Sequence, residues 1–437
     1  MNIKPYICVS PRIFKTYCKQ RIEISAKYNF LRFSGEYEVS VLPKYNFISN
    51  DRVAKFHSFV ILANDDKLCF DYEFEEEQEY SILIRSDALA QKRLFIETSV
   101  YALEEDLYNR KVLKGDLHMH TTYSDGLESV EHRIATARKI GMDFIAITDH
   151  NGYVGSLRSL EVLAKCFINM FALHGEEVHA DNTPVHILAL GAKTAIAPLV
   201  INRSPVDEEK IRLIMDQFRG KLSDKVDLYS FASSIDVFNK IKSFEGISVL
   251  CHIYWDAVKK DERIRMGAPE PLIDALVDHC MFDVFEITSG APSNDMKANY
   301  LQDIYYRERL PKGFPIIGIT DSHTTLKELG SIFGHNFTVA FVETCDEAGL
   351  LQAILDYKTI SVDALVSPIC HGSLRLSKYT TFLLSEYFPR HDEIVSIEGQ
   401  EMDRILLGKS GMHRLKEKSE ENFSLLEFEW GVILPKM

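Results

Sequence analysis

Acid and imidazole side chains recur in this sequence beside short apolar stretches. Gly115-Asp116-Leu117-His118-Met119-His120 runs into Thr121-Thr122-Tyr123-Ser124-Asp125-Gly126. On extended chain, residues i and i+2 point to one side, so His118 and His120 can reach one cation. Asp125, in the following loop, can turn back toward the same cavity. Further on come Asp149-His150 after Phe144-Ile145-Ala146-Ile147, and Gly175-Glu176-Glu177 with His174 after Phe171-Ala172-Leu173. His186 lies within an apolar run, Cys251-His252 follows Val249-Leu250, and Asp321-Ser322-His323 follows Gly318-Ile319. Taken singly, each histidine is better explained as a hydrogen-bonded core residue and each Asp as a helix cap. Together they would bury strong polarity with no obvious lysine or arginine among them. That is costly unless metal ions neutralise the carboxylates and bind the imidazoles. A mixed nitrogen and oxygen set suits Zn, Mn or Fe, not Ca or Mg alone.

The elements that must position these groups alternate between strand and helix. Residues 112–118, 144–147, 185–190, 247–250, 284–287 and 316–319 are short apolar, β-branched runs, as expected of strands covered on both faces. Residues 129–140, stopped by Gly141, and 208–218, 271–278 and 295–310 have helical spacing. This predicts a mainly parallel α/β domain, a barrel or a doubly wound sheet, over residues 113–370. In such domains the carboxyl ends of the strands share one face, so residues far apart in sequence converge.

Residues 1–112 predict something else. Leu68, Phe70, Tyr72 and Phe74 alternate with polar residues, Asn64-Asp65-Asp66 signals a turn, and Tyr80, Ile82 and Ile84 alternate again. Strands at such spacing suggest a small antiparallel sandwich with an accessory role. Residues 374–387 and 393–407 read as helices of a C-terminal extension spanning 371–437, and 409–422 as a solvated loop or helix. The 437 residues suffice for two or three domains, and 46% apolar with 26% charged residues excludes a mainly disordered chain. A net charge of −14 argues against gripping duplex nucleic acid by charge. No apolar run is long enough for a membrane helix, and the first residues lack a secretion signal, so a cytoplasmic location is expected. The eight cysteines form no Cys-x-x-Cys pair and are expected to be reduced.

The acid and imidazole residues carry a specific pattern. Residues 116–126, Ile147-Thr148-Asp149-His150, Gly175-Glu176-Glu177 with His186, and Asp321-Ser322-His323 resemble, in order and spacing, the motifs of the PHP family (polymerase and histidinol phosphatase). The likeness runs from about Leu113 to Gly334. It implies a distorted (β/α)7 barrel with two or three divalent ions. It places one ion with His118, His120, Glu177 and Asp321, a second with Glu177, His186 and His252, and a third with Asp125, His150 and His323. Glu176 is an alternative bridge, which the family's Gly-x-Glu spacing disfavours. Asp125 stands where some members have histidine, leaving the metal open among Mn, Fe and Zn.

The chemistry expected is in-line attack of a metal-bound hydroxide on a phosphate ester, with no protein nucleophile. Asp149 is the candidate catalytic carboxylate, orienting an imidazole or moving a proton. Glu286 is a further cavity candidate. Lys259, Lys260, Arg263 and Arg265 are candidates to clamp a phosphate, and Tyr254-Trp255 to stack on a base or sugar, although solvation and packing are the plainer readings. The expected substrate is a small phosphomonoester or nucleotide. Its rivals are 5′-end trimming of short oligonucleotides, amidohydrolase-like C–N cleavage, and a binding module without turnover. No duplex nucleic acid or membrane partner is expected.

Overall fold

The computed structural model describes residues 1–45, 57–181, 183–255, 257–259, 264–279, 281–290 and 295–434. They divide into two units, one of residues 1–111, 378–391 and 420–434, the other of residues 112–377 and 392–419. The C-terminal helices Phe388–Leu406 and Met412–Trp430 each give residues to both.

The first unit is built from β1 (Ile7–Ser10), β2 (Ile13–Lys15), β3 (Lys19–Ala26), β4 (Glu36–Pro43), β5 (His57–Leu62), β6 (Lys67–Glu73), β7 (Gln78–Arg85) and β8 (Ile96–Leu103). They form two sheets, β1-β3-β6 and β2-β8-β7-β4-β5, antiparallel except for β2 beside β8. The period-two pattern explains the layers. Leu68 and Phe70 of one sheet and Ile82 and Ile84 of the other bury in one shared core. The turn at Asp65 and Asp66 takes φ of 48° and 65°, which short polar residues tolerate. Arg12 is 5% exposed and joins Glu386 at 3.2 Å to Glu429 at 3.1 Å, tying the C-terminal segments of this unit to its strands.

The second unit holds β9 (Lys111–Met119), β10 (Phe144–Ile147), β11 (Phe171–Leu173), β12 (Gly175–His179), β13 (His186–Leu190), β14 (Ile247–Leu250), β15 (Ala257–Lys259), β16 (Ile264–Met266), β17 (Val284–Thr288), β18 (Ile316–Gly318), β19 (Asn336–Val342), β20 (Thr359–Asp363) and β21 (Ile369–His371). Two sheets, β11-β10-β9-β19-β20-β21 and β12-β13-β14-β17-β18, meet at isolated parallel bridges between His150 and Glu177 and between Met119 and Ser322. At the β18 edge, Thr338 Oγ1 donates to Gly318 O at 2.7 Å and Thr359 Oγ1 to Ile316 O at 2.7 Å, so hydroxyls satisfy carbonyls that no ladder reaches. Leu117, Leu188, Val249 and Ile317 share one core, while Ile187, Leu250 and Phe285 pack into another with the helices Leu228–Ser243 and Glu270–His279.

The expectation of a mainly parallel domain is corrected. β12, β13 and β14 run antiparallel, as do β19, β20 and β21, so the unit is mixed. The segment 180–185 is too short for the crossover that parallel pairing of β12 and β13 needs. The helix Val130–Lys139 ends as its sequence implies: Gly141 takes φ 82° and Met142 N–H closes on Ala137 O at 3.0 Å. Residues 412–430, polar in their first half, are helical. Among the described residues, no helix is long and apolar enough to cross a membrane.

Candidate metal centre

The carboxyl end of β9 carries His118 and His120, both fully buried. The end of β10 carries His150, which the bridge to β12 sets beside Glu177. Glu177 is the hub. Its Oε2 lies 3.2 Å from His118 Nε2, 3.3 Å from His120 Nε2 and 2.7 Å from His150 Nδ1. Its Oε1 lies 2.9 Å from His186 Nδ1 and 3.0 Å from His252 Nε2. Asp321 Oδ1 adds contacts of 2.9 Å to His120 Nε2 and 3.3 Å to His118 Nε2. Asp125 Oδ1 sits 3.2 Å from His323 Nε2 and 3.5 Å from His150 Nε2. The nine residues named as candidate metal ligands therefore stand in one cluster. Two of them reach it at a conformational cost: His252 and Asp321 have φ of 28° and 49°, where the chain turns after β14 and β18.

The chemistry of this cluster fits cations. Donor atoms of His118, His120, Glu177 and Asp321 lie within 4.8 Å of one another, as do those of Glu177, His186 and His252, and those of His120, Asp125, His150 and His323. Donors about 2.1 Å from a shared ion stand about 3.0 Å apart at octahedral corners and about 3.4 Å at tetrahedral ones. Both nitrogens of His118 and Oε2 of Glu177 are buried with no hydrogen bond, an expensive arrangement unless something else binds them.

Outer carboxylates brace the cluster. Asp116 accepts from His118 N at 3.2 Å and from Thr320 N at 3.1 Å, joining β9 to the chain after β18. Glu286 Oε1 accepts from His252 N at 2.9 Å, and its Oε2 is 3.7 Å from His118 Nδ1, so Glu286 does face the cavity. Glu176 points the other way and caps the helix Ala197–Ile201 through Ile196 N and Ala197 N, leaving the central position to Glu177. Asp149 departs from expectation. Its oxygens accept from Thr121 N at 2.7 Å, Thr121 Oγ1 at 2.8 Å and Ser124 Oγ at 2.7 Å, and no imidazole is among its partners. It reaches an imidazole only through Ser124, whose Oγ is 3.5 Å from His120 Nδ1.

Residues 116–207 match the family model of the PHP domain. A stretch of 58 residues is 40% identical to the DNA polymerase/3'-5' exonuclease PolX of Bacillus subtilis, covering 13% of this chain and 10% of that one. Among solved structures, a two-domain protein from Bacteroides vulgatus, described as containing a predicted PHP-like metal-dependent phosphoesterase, aligns over 58% of this chain and 66% of its own. Its identity is 18% and its TM-score 0.37. An amidohydrolase from Chromobacterium violaceum aligns over 49% of this chain and 89% of its own, at 16% identity and a TM-score of 0.32.

The charges of the cluster interlock. Burial opposes protonation of His150, but Asp125 and Glu177 outweigh it and lift the imidazolium to about 10. His118 and His252 are likewise held above the ordinary histidine range despite burial, by Asp321 and Glu177 for the first and by Cys251 and Glu177 for the second. Burial wins for His120 and His186, which fall to about 4. A cation must displace the proton from His150 to bind there, so metal uptake is expected to strengthen as pH rises, about tenfold per unit for each proton released. In the metal-free protein the slope is opposite. The stability tied to the raised His150 is full below its unfolded value of about 6.5 and is lost as pH climbs toward about 10. Calorimetric titration with Zn²⁺ at pH 6.5 and 8.0 checks the first statement. A flat affinity would contradict it.

Beside Asp321 and His323 lies a cavity of about 280 Å³, lined also by Trp255, Gly290, Ser322, Thr324, Leu329, Ser331 and Ile332. Trp255 faces the site, 5.0 Å from the His186 ring. Tyr254 packs against Tyr305 and reaches Glu270, the plainer reading of the two candidate rings, which leaves Trp255 as the one that faces the site. Of the basic candidates, Lys259 lies on β15 and Arg265 on β16, while Lys260 and Arg263 fall outside the described residues. His179 is a site neighbour that motif reading missed. Its i+2 spacing from Glu177 on a strand was the available signal.

Proposed function

We propose that this protein is a metal-dependent phosphoesterase that hydrolyses a small phosphomonoester or nucleotide. The observation that carries the reading is Glu177, one fully buried carboxylate approached on both oxygens by five histidines from four different strands or strand ends. Two or three ions of Mn, Fe or Zn would be held by His118, His120, Glu177 and Asp321, by Glu177, His186 and His252, and by Asp125, His150 and His323. When bound, such ions acidify water, hold phosphate oxygens and offset charge on the departing oxygen. The protein's own part is to keep donor atoms fixed through Asp116 and Glu286, and to seat the organic group of the substrate against Trp255. A cavity of about 280 Å³ suits one small group better than a polymer.

We read the two sheets of the second unit as a distorted (β/α)7 barrel, with residues 1–112 as an accessory domain. Every ion pair of Glu177 and Asp321 among the described residues is with histidine. No lysine is available there to bridge metals, which counts against the C–N hydrolase reading. The short likeness to a polymerase/exonuclease keeps end-trimming of oligonucleotides as the second reading.

The purified protein, offered phosphomonoesters, cyclic phosphates and short oligonucleotides, is expected to release phosphate from the first group and to stop when chelator is added. Amide cleavage without phosphate release would transfer the site to the C–N reading. Mononucleotides released from oligonucleotide ends, with phosphomonoesters untouched, would select the exonuclease. Turnover unchanged in His120→Ala would remove the site altogether.

A further inference from the structure

Arg133 is fully buried beside the candidate metal centre, although no motif signalled it. It lies in the first turn of the helix Val130–Lys139. That is a poor place for a cation, because the helix dipole puts partial positive charge there and burial strips the guanidinium of water. Burial works against its charge, and the carboxylates of Glu128, Asp116 and Asp149 offset this in part. Its contacts answer the rest of the cost. Nε donates to His120 O at 2.9 Å, and Nη2 donates to Ser322 O. Glu128 Oε2 stands 3.7 Å from Nε, and the Phe333 ring lies 5.5 Å from Cζ.

Both carbonyls belong to backbone that carries metal-ligand candidates. His120 is one itself, and Ser322 sits between Asp321 and His323. Ser322 O also accepts from His120 N at 3.0 Å, so the guanidinium closes a joint between two segments already in contact. Glu128 extends the joint. Its Oε1 accepts from Thr324 Oγ1 at 2.8 Å and Thr325 N at 2.9 Å, and Leu127 N donates to His323 O at 2.8 Å. Residues 120–128 are thereby fastened along residues 322–325. Asp125 rides on the first segment and His323 on the second, and Asp125 Oδ1 meets His323 Nε2 at 3.2 Å. The other ligand sets have braces of their own: Asp116 on His118 N and Thr320 N, and Glu286 on His252 N.

We propose that Arg133 is a positioning residue for the third ligand set, Asp125, His150 and His323. Its planar fork holds His120 O and Ser322 O together and so fixes the separation at which Asp125 and His323 share an ion. This rests on the metal-centre reading and concerns one of its ions.

The test is Co²⁺ titration of the metal-free protein, followed by calorimetry and visible absorption, on the unaltered chain, Arg133→Met, Arg133→Lys, Asp125→Ala and Arg138→Met. Asp125 is 57% exposed at its side chain, and Asp125→Ala identifies the equivalent that belongs to the third set. Arg133→Met is expected to weaken that same equivalent by about 10- to 100-fold, the usual effect of losing a group behind a ligand, and to alter its absorption alone. Lysine keeps the buried charge but cannot span two carbonyls, so Arg133→Lys should not restore the affinity. Arg138→Met removes another buried guanidinium from the same helix and should leave every Co²⁺ equivalent in place. Unchanged binding in Arg133→Met, full restoration by Arg133→Lys, or equal weakening in Arg138→Met would overturn the assignment and leave the ligand sets standing. Near-ultraviolet dichroism reports folding. If neither Arg133 variant folds, Arg133 belongs to the fold and the assignment also falls. Asp125→Ala that loses no equivalent would remove the third set, and an unaltered chain that takes up no Co²⁺ would bring down the metal-centre reading itself.

Discussion

Replacing Glu177 by glutamine is expected to empty the metal centre and to cut phosphoester turnover by on the order of 10³-fold or more. The substitution keeps shape and volume. It removes the negative charge that faces His118, His120 and His150 on one oxygen and His186 and His252 on the other. An amide nitrogen in place of one oxygen would also aim hydrogen atoms at imidazole nitrogens. Two proposed ligand sets share this carboxylate, so both should fail together. Metal content after dialysis and kcat on a phosphomonoester are the measurements, and full metal content in Glu177→Gln would refute the bridging role. Its sequence neighbour supplies the control. Glu176→Gln removes a charged cap from Ile196 N and Ala197 N and should cost about 1 kcal/mol of stability while leaving metal content unchanged.

Replacing Arg138 by methionine is expected to destabilise the second unit by about 3–5 kcal/mol. Arg138 is 2% exposed and lies between two carboxylates, Asp143 Oδ1 at 2.8 Å and Glu398 Oε2 at 2.6 Å. Its Nη1 also donates to Met142 O at 3.1 Å. Methionine fills much of the space but leaves two buried anions facing a neutral side chain. The cost comes from that stranded charge more than from the lost attraction, since a buried pair roughly balances its own desolvation. The double variant Arg138→Met with Glu398→Met should therefore recover a large part of the loss, because Asp143 keeps Lys114 N at 3.0 Å. Urea-unfolding midpoints of the single and double variants decide the matter. A double variant no more stable than the single one would show that packing, not charge, governs this site.

The two substitutions differ in how visible their grounds were. Glu177 stood out from its Gly-x-Glu setting and from histidines at the ends of apolar runs. Arg138 gave no such signal, because one of its partners lies on a helix 260 residues later in the chain. Asp149 shows the opposite failure. It sits beside a ligand candidate in sequence, and adjacency suggested shared chemistry, whereas its carboxylate accepts from Thr121 and Ser124. His179 was passed over because it falls outside the motif, although its spacing from Glu177 placed it on the right face. The sheet was expected to be mainly parallel because apolar runs alternate with helical spacing. That pattern records burial on both faces and is silent on strand direction, which β12 and β13 take from the short connection between them.

What the sequence determined by itself was local: which stretches are buried strands, where the helix Val130–Lys139 stops, and which side chains have the chemistry to bind cations. These depend on periodicity, turn residues and donor type, all readable within a few positions. Only the tertiary structure decided which oxygen of Glu177 meets which imidazole, that Glu176 caps a helix instead, and that Arg138 is clamped between Asp143 and Glu398. Those outcomes turn on a few ångströms between strands and helices remote in sequence, and register, strand direction and packing set such distances.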